Sequence, residues 1–302
     1  MRKGIKITLI TLAVIIVLAS AGLLYITRKN AATMVYNPIE TRNPMTELPS
    51  DYGIPYEEVS VTTADGFTLA GWFVPSQTGA VVITQHGLGG NRTNMLYDAE
   101  LLHRHGYGVM LSSFRAHDVN EGELVTYGKY EVRDLEAWYQ YLLTRSDIDH
   151  NKIGILGESM GGMVTILYAA QNPNMKAVAL HSAAPDLDAV ASAGIKHYFG
   201  LPPFPFVPLI LWWGEQMAGF DTSEVNALQV IGKISPRPVF IMMGGQDDHL
   251  PPESGQWLYD AANEPKELWF VPEAWHHGIP EVAPEEYEQR LTEFFDQYLL
   301  GE

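Results

Sequence analysis

The sequence predicts an α/β fold: a mostly parallel central sheet with helices on both faces, interrupted by a cap insertion and preceded by an N-terminal transmembrane helix. Three observations predict it. Short apolar runs of strand length alternate with stretches of helical periodicity, the pattern of a parallel sheet wrapped by crossover helices. A glycine-bracketed serine, Gly157-Glu158-Ser159-Met160-Gly161-Gly162, lies between one such strand and one such helix. The first thirty residues contain an uncharged run long enough to cross a bilayer.

That run, Ile7 to Ile26, has 20 residues. At about 1.5 Å per residue it spans roughly 30 Å, the thickness of a bilayer core. Arg2, Lys3 and Lys6 precede it, and Arg28 and Lys29 follow. Two readings of residues 1–29 are open. An uncleaved anchor would keep the basic N-terminus inside the cell and make a single-pass cell-membrane protein with an extracytoplasmic body. A signal sequence cleaved at Ala19-Ser20-Ala21 would release that body. The apolar run continues past this site through Leu23, Leu24, Tyr25 and Ile26, which favours the anchor. Residues 30–54, with Pro38, Pro44 and Pro49, read as a linker, and residues 55–302 as the folded domain.

The 302-residue chain has 19 basic and 36 acidic residues. Five of the basic ones flank the apolar run and every acid follows it, leaving 14 against 36 in the body, a formal charge of −22. Such a body repels phosphates, so nucleic acid is not an expected partner. There is no cysteine, which excludes disulfides, thiolate metal sites and a cysteine nucleophile.

Along the body, Glu57–Thr62 and Phe67–Val74 alternate in polarity around Ala64-Asp65-Gly66 and read as a hairpin. Ala80–Thr84 is a continuous apolar run, as expected of a strand buried on both faces. It leads into His86-Gly87-Leu88-Gly89-Gly90 and a helix from Thr93 to His105. Tyr107–Ser112 is the next strand, and Val132, Leu135, Tyr139 and Leu142 recur at helical spacing. Lys152–Leu156 and Met163–Ala170 are the strand and helix around Ser159. Further strands are expected at Met175–Leu180, Pro238–Met243 and Glu267–Val271, with a helix at Ser254–Ala262. A last helix carries Tyr287, Leu291, Phe294, Phe295, Tyr298 and Leu299 on one stripe.

Residues 184–234 break the alternation. Their centre, Leu201–Trp213, has four prolines and no charge, and the prolines argue against a continuous helix through its first half. Three readings are open: a loosely structured cover, a cap whose apolar side lines an acyl pocket, and a surface that dips into the membrane.

A serine hydroxyl is a weak nucleophile and needs a base, and the base needs an orienting acid. Ser159 at a strand-to-helix turn between glycines meets the steric requirement of a nucleophile elbow, and the amide of Met160 would face a developing oxyanion. After the strand ending at Met243 come two adjacent carboxylates, Asp247 and Asp248. After the last strand come two adjacent imidazoles, His276 and His277. Both pairs fall at the carboxyl ends of strands, where open α/β sheets place their sites.

The motifs HGLGG, GESMGG, GGQDDHLPPE and VPEAWHHG, in this order, resemble the α/β-hydrolase superfamily, in particular bacterial serine esterases and their prolyl-oligopeptidase-like relatives, over residues 55–300. The resemblance implies an α/β-hydrolase fold with Ser159, Asp247 and His276 as the catalytic triad. The acid of such families is followed four residues later by proline, which favours Asp247 over Asp248. Their histidine follows a small residue by two, which favours His276 over His277. The amides of Leu88 and Met160 would form the oxyanion hole, with Gly87, Gly89 and Gly90 allowing close approach. Many relatives carry D-x-R-G-H-G after the fourth strand, whereas this chain has Ser113-Phe114-Arg115-Ala116-His117-Asp118. That departure puts the local loop in question, and Arg115 reads as structural.

The reaction implied is hydrolysis of a small-molecule carboxylic ester or acyl substrate through an acyl-enzyme, with no cofactor and no metal. A serine peptidase or acyltransferase would use the same triad, and a catalytically silent binding or scaffold protein would keep only the fold.

Overall fold

The computed structural model describes residues 2–301; the side chains of Arg2 and Lys3, on which part of the orientation reading rests, lie outside the described ones. The first element, α1 (Arg2–Val35), is a single helix whose uncharged part is long and apolar enough to cross a membrane. The expected boundary at residue 29 therefore falls inside a helix. The stretch read as a linker is also tied down. Asn37 donates through its side chain to the carbonyl of Ala116, and the Arg42 guanidinium donates to the carbonyls of Asn37, Asp118, Asn120 and Gly122.

The body alternates as the periodicity requires. A hairpin of β1 (Glu57–Thr62) and β2 (Thr68–Val74) comes first. Then follow β3 (Val81–Gln85), α2 (Leu96–Arg104), β4 (Gly108–Ser112), α3 (Glu131–Thr144), β5 (Ile153–Glu158), α4 (Met160–Ala169) and β6 (Val178–His181). After the cap helices α5 (Leu187–Phe199) and α6 (Pro203–Ala218) come β7 (Val239–Gly244), α7 (Ser254–Ala261), β8 (Lys266–Val271), α8 (Ile279–Val282) and α9 (Pro284–Phe295). The eight strands form one sheet in the order β1-β2-β4-β3-β5-β6-β7-β8. The first two are antiparallel, and the six from β4 to β8 are parallel. The chain is an α/β-hydrolase fold.

Alternation along each strand feeds two cores. Val81 and Ile83 of β3 pack under α3 and α4, while Ala80 and Val82 pack under α2 and α9. The stripe on α9 is buried as read, from Tyr287 to Phe295, and continues to Leu299 on a terminal π-helical turn. The strand expected from Met175 is regular only from Val178, where β7 supplies a partner at Val239.

The cap contains two helices. As the prolines predict, no continuous helix runs through the first half of this stretch: α6 is interrupted at a kink near its start. Phe204 is non-helical (φ −89°, ψ 134°), and regular helix follows at once. Pro203 and Pro205 fall at its opening, where amide hydrogens lack intrahelical partners in any case, and Pro208 lies inside the helix that follows.

Candidate active site

Ser159 occupies the turn between β5 and α4 with φ 54° and ψ −117°, a conformation that L-residues adopt only under constraint. Two backbone hydrogen bonds supply the constraint: Ser159 N–H donates to the His181 carbonyl at 2.9 Å, and Ala184 N–H donates to the Ser159 carbonyl at 3.1 Å. The flanking glycines leave room for the turn. A Cβ on Gly157 would lie 2.5 Å from the Gly161 carbonyl oxygen, and one on Gly161 would lie 2.5 Å from that of His86.

The sheet order reverses around β3, so the loops after β3 and β5 flank a crevice at their carboxyl ends. Ser159 lies there, and the loops after β7 and β8 reach it. His276 Nε2 is 2.8 Å from Ser159 Oγ, and His276 Nδ1 is 2.6 Å from Asp247 Oδ2. The Nδ1 proton points at the carboxylate, which leaves the Nε2 lone pair facing the hydroxyl. Asp247 is itself held, since its Oδ1 accepts from the amides of His249 (2.9 Å) and Leu250 (2.8 Å). Asp247 and His276 are buried, whereas Ser159 is partly open.

The alternative acid and base have other partners. Asp248 is exposed and binds His249 Nδ1 at 2.8 Å and His197 Nδ1 of α5 at 3.5 Å. His277 Nδ1 is 2.7 Å from the carboxylate of Glu158. That carboxylate raises the His277 imidazole above its ordinary range. Burial pushes Glu158 upward, but the His277 hydrogen bond and the neighbouring imidazoles outweigh it and hold the carboxyl below its usual value. The ligand atoms of Asp247, Asp248 and His249 also lie within 4.8 Å of one another. Among the described residues they are the group of three such atoms within reach of one cation, although three N–H groups already occupy the Asp247 oxygens.

Two histidines whose role the sequence did not reveal brace the Gly87–Gly89 turn. His86 Nδ1 donates to the Gly87 carbonyl at 2.7 Å, and its Nε2 accepts from Phe114 N–H at 3.3 Å. His117 Nδ1 donates to the Arg115 carbonyl at 2.9 Å, and its Nε2 accepts from Gly89 N–H at 3.2 Å. Burial keeps both imidazoles below their ordinary range, His86 down to about 3. The loop supplying these contacts has left-handed residues at Ala116 (φ 57°) and Asp118 (φ 54°), the two positions where D-x-R-G-H-G relatives carry glycine. The strain is offset by an Asp118–Arg92 ion pair at 2.9 Å and by Arg115, whose guanidinium binds Asp134 and Asp65. A third histidine the sequence gave no reason to single out, His249, stacks on His276 with centroids 4.9 Å apart and planes 18° from parallel.

Ser159, His276, Leu88 and Met160 share a cavity of about 310 Å³. Its far walls come from α5 (Val190, Ile195) and from α1 (Asn30, Met34).

This fold, with a strained serine at the switch point, defines the α/β-hydrolase superfamily, and the comparisons agree. The chain belongs to the prolyl oligopeptidase family, whose model matches residues 120–302; the X-Pro dipeptidyl-peptidase (S15 family) model matches residues 40–198. It is 28% identical to YqkD of Bacillus subtilis, with 78% of each chain covered. It is 30% identical to MT2364 of Mycobacterium tuberculosis, covering 74% of this chain and 73% of that one. The esterase Pf2001 of Pyrococcus furiosus superposes with a TM-score of 0.74 at 28% identity, over 88% of this chain and 98% of that one.

Proposed function

We propose that the protein is a serine hydrolase that cleaves carboxylic esters through an acyl-enzyme. The observation that carries this reading is the continuous contact from the Ser159 hydroxyl through His276 to Asp247. Ser159 Oγ attacks the ester carbonyl while its proton passes to His276 Nε2. The carbonyl–alkoxy bond breaks, and the alcohol leaves with that proton. Water then attacks the acyl-serine, with His276 again taking a proton, and the acid is released. Asp247 fixes the imidazole tautomer, and the amides of Met160 and Leu88 stabilise the oxyanion. The α1 helix anchors the chain as a single membrane span, and the acidic body lies on the extracytoplasmic side.

The peptidase families matched over more than half the chain favour a second reading, in which the same serine cleaves an amide. A panel of p-nitrophenyl esters and peptide anilides separates the two. A fluorophosphonate probe tests the triad directly. Wild type should label and Ser159→Ala should not. His276→Ala should lower ester turnover by about three orders of magnitude, and His277→Ala by less than about tenfold. Equal labelling of wild type and Ser159→Ala, or greater loss from His277→Ala, would overturn the assignment.

A further inference from the structure

Burial on α1 begins at Gly22 and Leu23, inside the uncharged run, and recurs at Thr27, Ala31 and Val35. A spacing of about four marks one helix face. The cap helix α6 is the element most extensively packed on α1, with Val207 and Ile210 meeting Ala31. At 1.5 Å per residue the seam starts roughly 5 Å inside the apolar run, which ends at Ile26, and extends roughly 14 Å beyond it. The helix level is also marked by Arg28, which lies 5.8 Å over the Trp213 ring, and Trp213 meets Trp212 at 4.5 Å. A cation and a tryptophan pair just past an apolar span match the composition of a membrane–water interface. On α6, Trp212 is 46% exposed and Phe204, which opens the same helix, 77%.

The next turns of α1 reach the site. Asn30, Thr33 and Met34 wall the Ser159 cavity. They stand roughly 6–12 Å beyond Ile26, about the depth of the headgroup layer. An isolated apolar patch would leave its partner open, but this one continues the surface of a helix whose residues from Gly4 to Ala21 have no protein cover.

We propose that α6 lies in the membrane interface beside α1, and that Ser159 acts on a single-chain acyl ester drawn from the bilayer along the α1 wall. The proposal rests on reading the protein as an anchored serine hydrolase and adds its substrate class. A cavity near 310 Å³ is at the small end of ligand pockets and suits one chain.

The chain has no cysteine, so Trp212→Cys, Phe204→Cys, Thr144→Cys and Leu12→Cys in the full chain each carry one polarity-sensitive fluorophore. In phosphatidylcholine vesicles, doxyl lipids should quench positions 204 and 212 at least about threefold more than 144, with iodide giving the reverse order. Phe204→Ser with Trp212→Ser should lower turnover of a vesicle-borne long-chain monoacyl ester by roughly five- to tenfold and leave p-nitrophenyl butyrate within about twofold. Iodide quenching at 212 with position 12 shielded would overturn the proposal while leaving the anchor intact. Shielding at 212 from both quenchers would also overturn it, since a second protein copy would then cover the face. Iodide access at position 12 would instead remove the anchor, and absence of butyrate hydrolysis by wild type would remove the hydrolase reading.

Discussion

At the scale of single residues, the elbow depends on two missing methyl groups. A Cβ on Gly161 would meet the carbonyl oxygens of His86 and Gln85 at 2.5 and 2.6 Å, and both are backbone atoms at the end of a central strand. They cannot move aside as a flexible side chain would. Gly161→Ala should therefore cost about 1–3 kcal/mol in urea unfolding and move Ser159 far enough to lower ester turnover by roughly 10² or more. His181, whose carbonyl holds Ser159, has a different vulnerability. Burial lowers its imidazole to about 4, and its Nε2 has no hydrogen-bond partner among the described residues. A base depressed in the folded state is stabilising above its unfolded pKa and loses that contribution as the pH falls toward its folded one. The window is thus about pH 6.5 down to about 4. Asp98 works against it, since burial raises that carboxyl to about 7 and folding is favoured as it protonates. Comparing wild type with His181→Gln isolates the first effect: the variant should lose roughly 2–3 kcal/mol less stability between pH 7 and pH 4.5, read by urea unfolding at each pH. Ser159 and its glycines were legible because sterics act locally, whereas the Asp247-x₃-Pro251 spacing pointed to Asp247 only through the family resemblance. The stacking of His249 on His276 was not, because it depends on where two loops from different strands happen to meet.

At the scale of elements, the last turns of α1 belong to the catalytic domain. A chain beginning at Asn37 would strip Ala31, Met34 and Val35 from α6 and remove one wall of the cavity. It should be less stable by roughly 3 kcal/mol or more and bind short esters with a higher KM, whereas a chain beginning at Ala21 keeps the buried stripe and should match full length in both assays. Arg115 joins two other elements to its own. It donates to Asp134 on α3 at 2.6 Å and to Asp65 in the β1–β2 turn at 2.7 Å, from the loop after β4. Arg115→Ala leaves Asp134 buried and unpaired, so a loss of about 3–5 kcal/mol is expected in urea unfolding. Arg115→Lys should rescue little of it, since one ammonium cannot span both carboxylates. Most elements were readable because apolar period and length agree, as in Ala80–Thr84. Two were not. Prolines at 203, 205 and 208 disguised α6, which kinks at Phe204 yet continues as helix through Pro208. The helical continuation of α1 past Arg28 was hidden because its stripe at Thr27, Ala31 and Val35 is completed by residues some 180 positions away.

At the scale of the whole molecule, the order of strands placed Ser159, Asp247 and His276 at one edge; chain order offered two carboxylates and two imidazoles there, and the family resemblance chose between them. The placement of the cap against a membrane that we propose was only one of three readings open to residues 184–234, because it depends on the packing of α6 on α1. The proposed placement would put a domain of formal charge −22 next to headgroups. With neutral lipid the charge has no partner to repel. With anionic lipid the like charges oppose close approach of the cap, while Arg28 and Lys29 alone attract it. The repulsion acts over a Debye length, about 30 Å at 0.01 M salt and about 10 Å at 0.1 M, so it should be strong only in dilute buffer. In vesicles holding the full chain, replacing a third of the phosphatidylcholine by phosphatidylglycerol should lower turnover of a bilayer-resident ester several-fold at about 10 mM salt and hardly at all at about 300 mM. Turnover of p-nitrophenyl butyrate, which reaches the cavity from water, should respond to neither change. An equal response of both substrates would mean that anionic lipid acts on the fold or on the chemistry, whereas a response confined to the bilayer-resident ester would mean that it acts on how closely the cap meets the membrane.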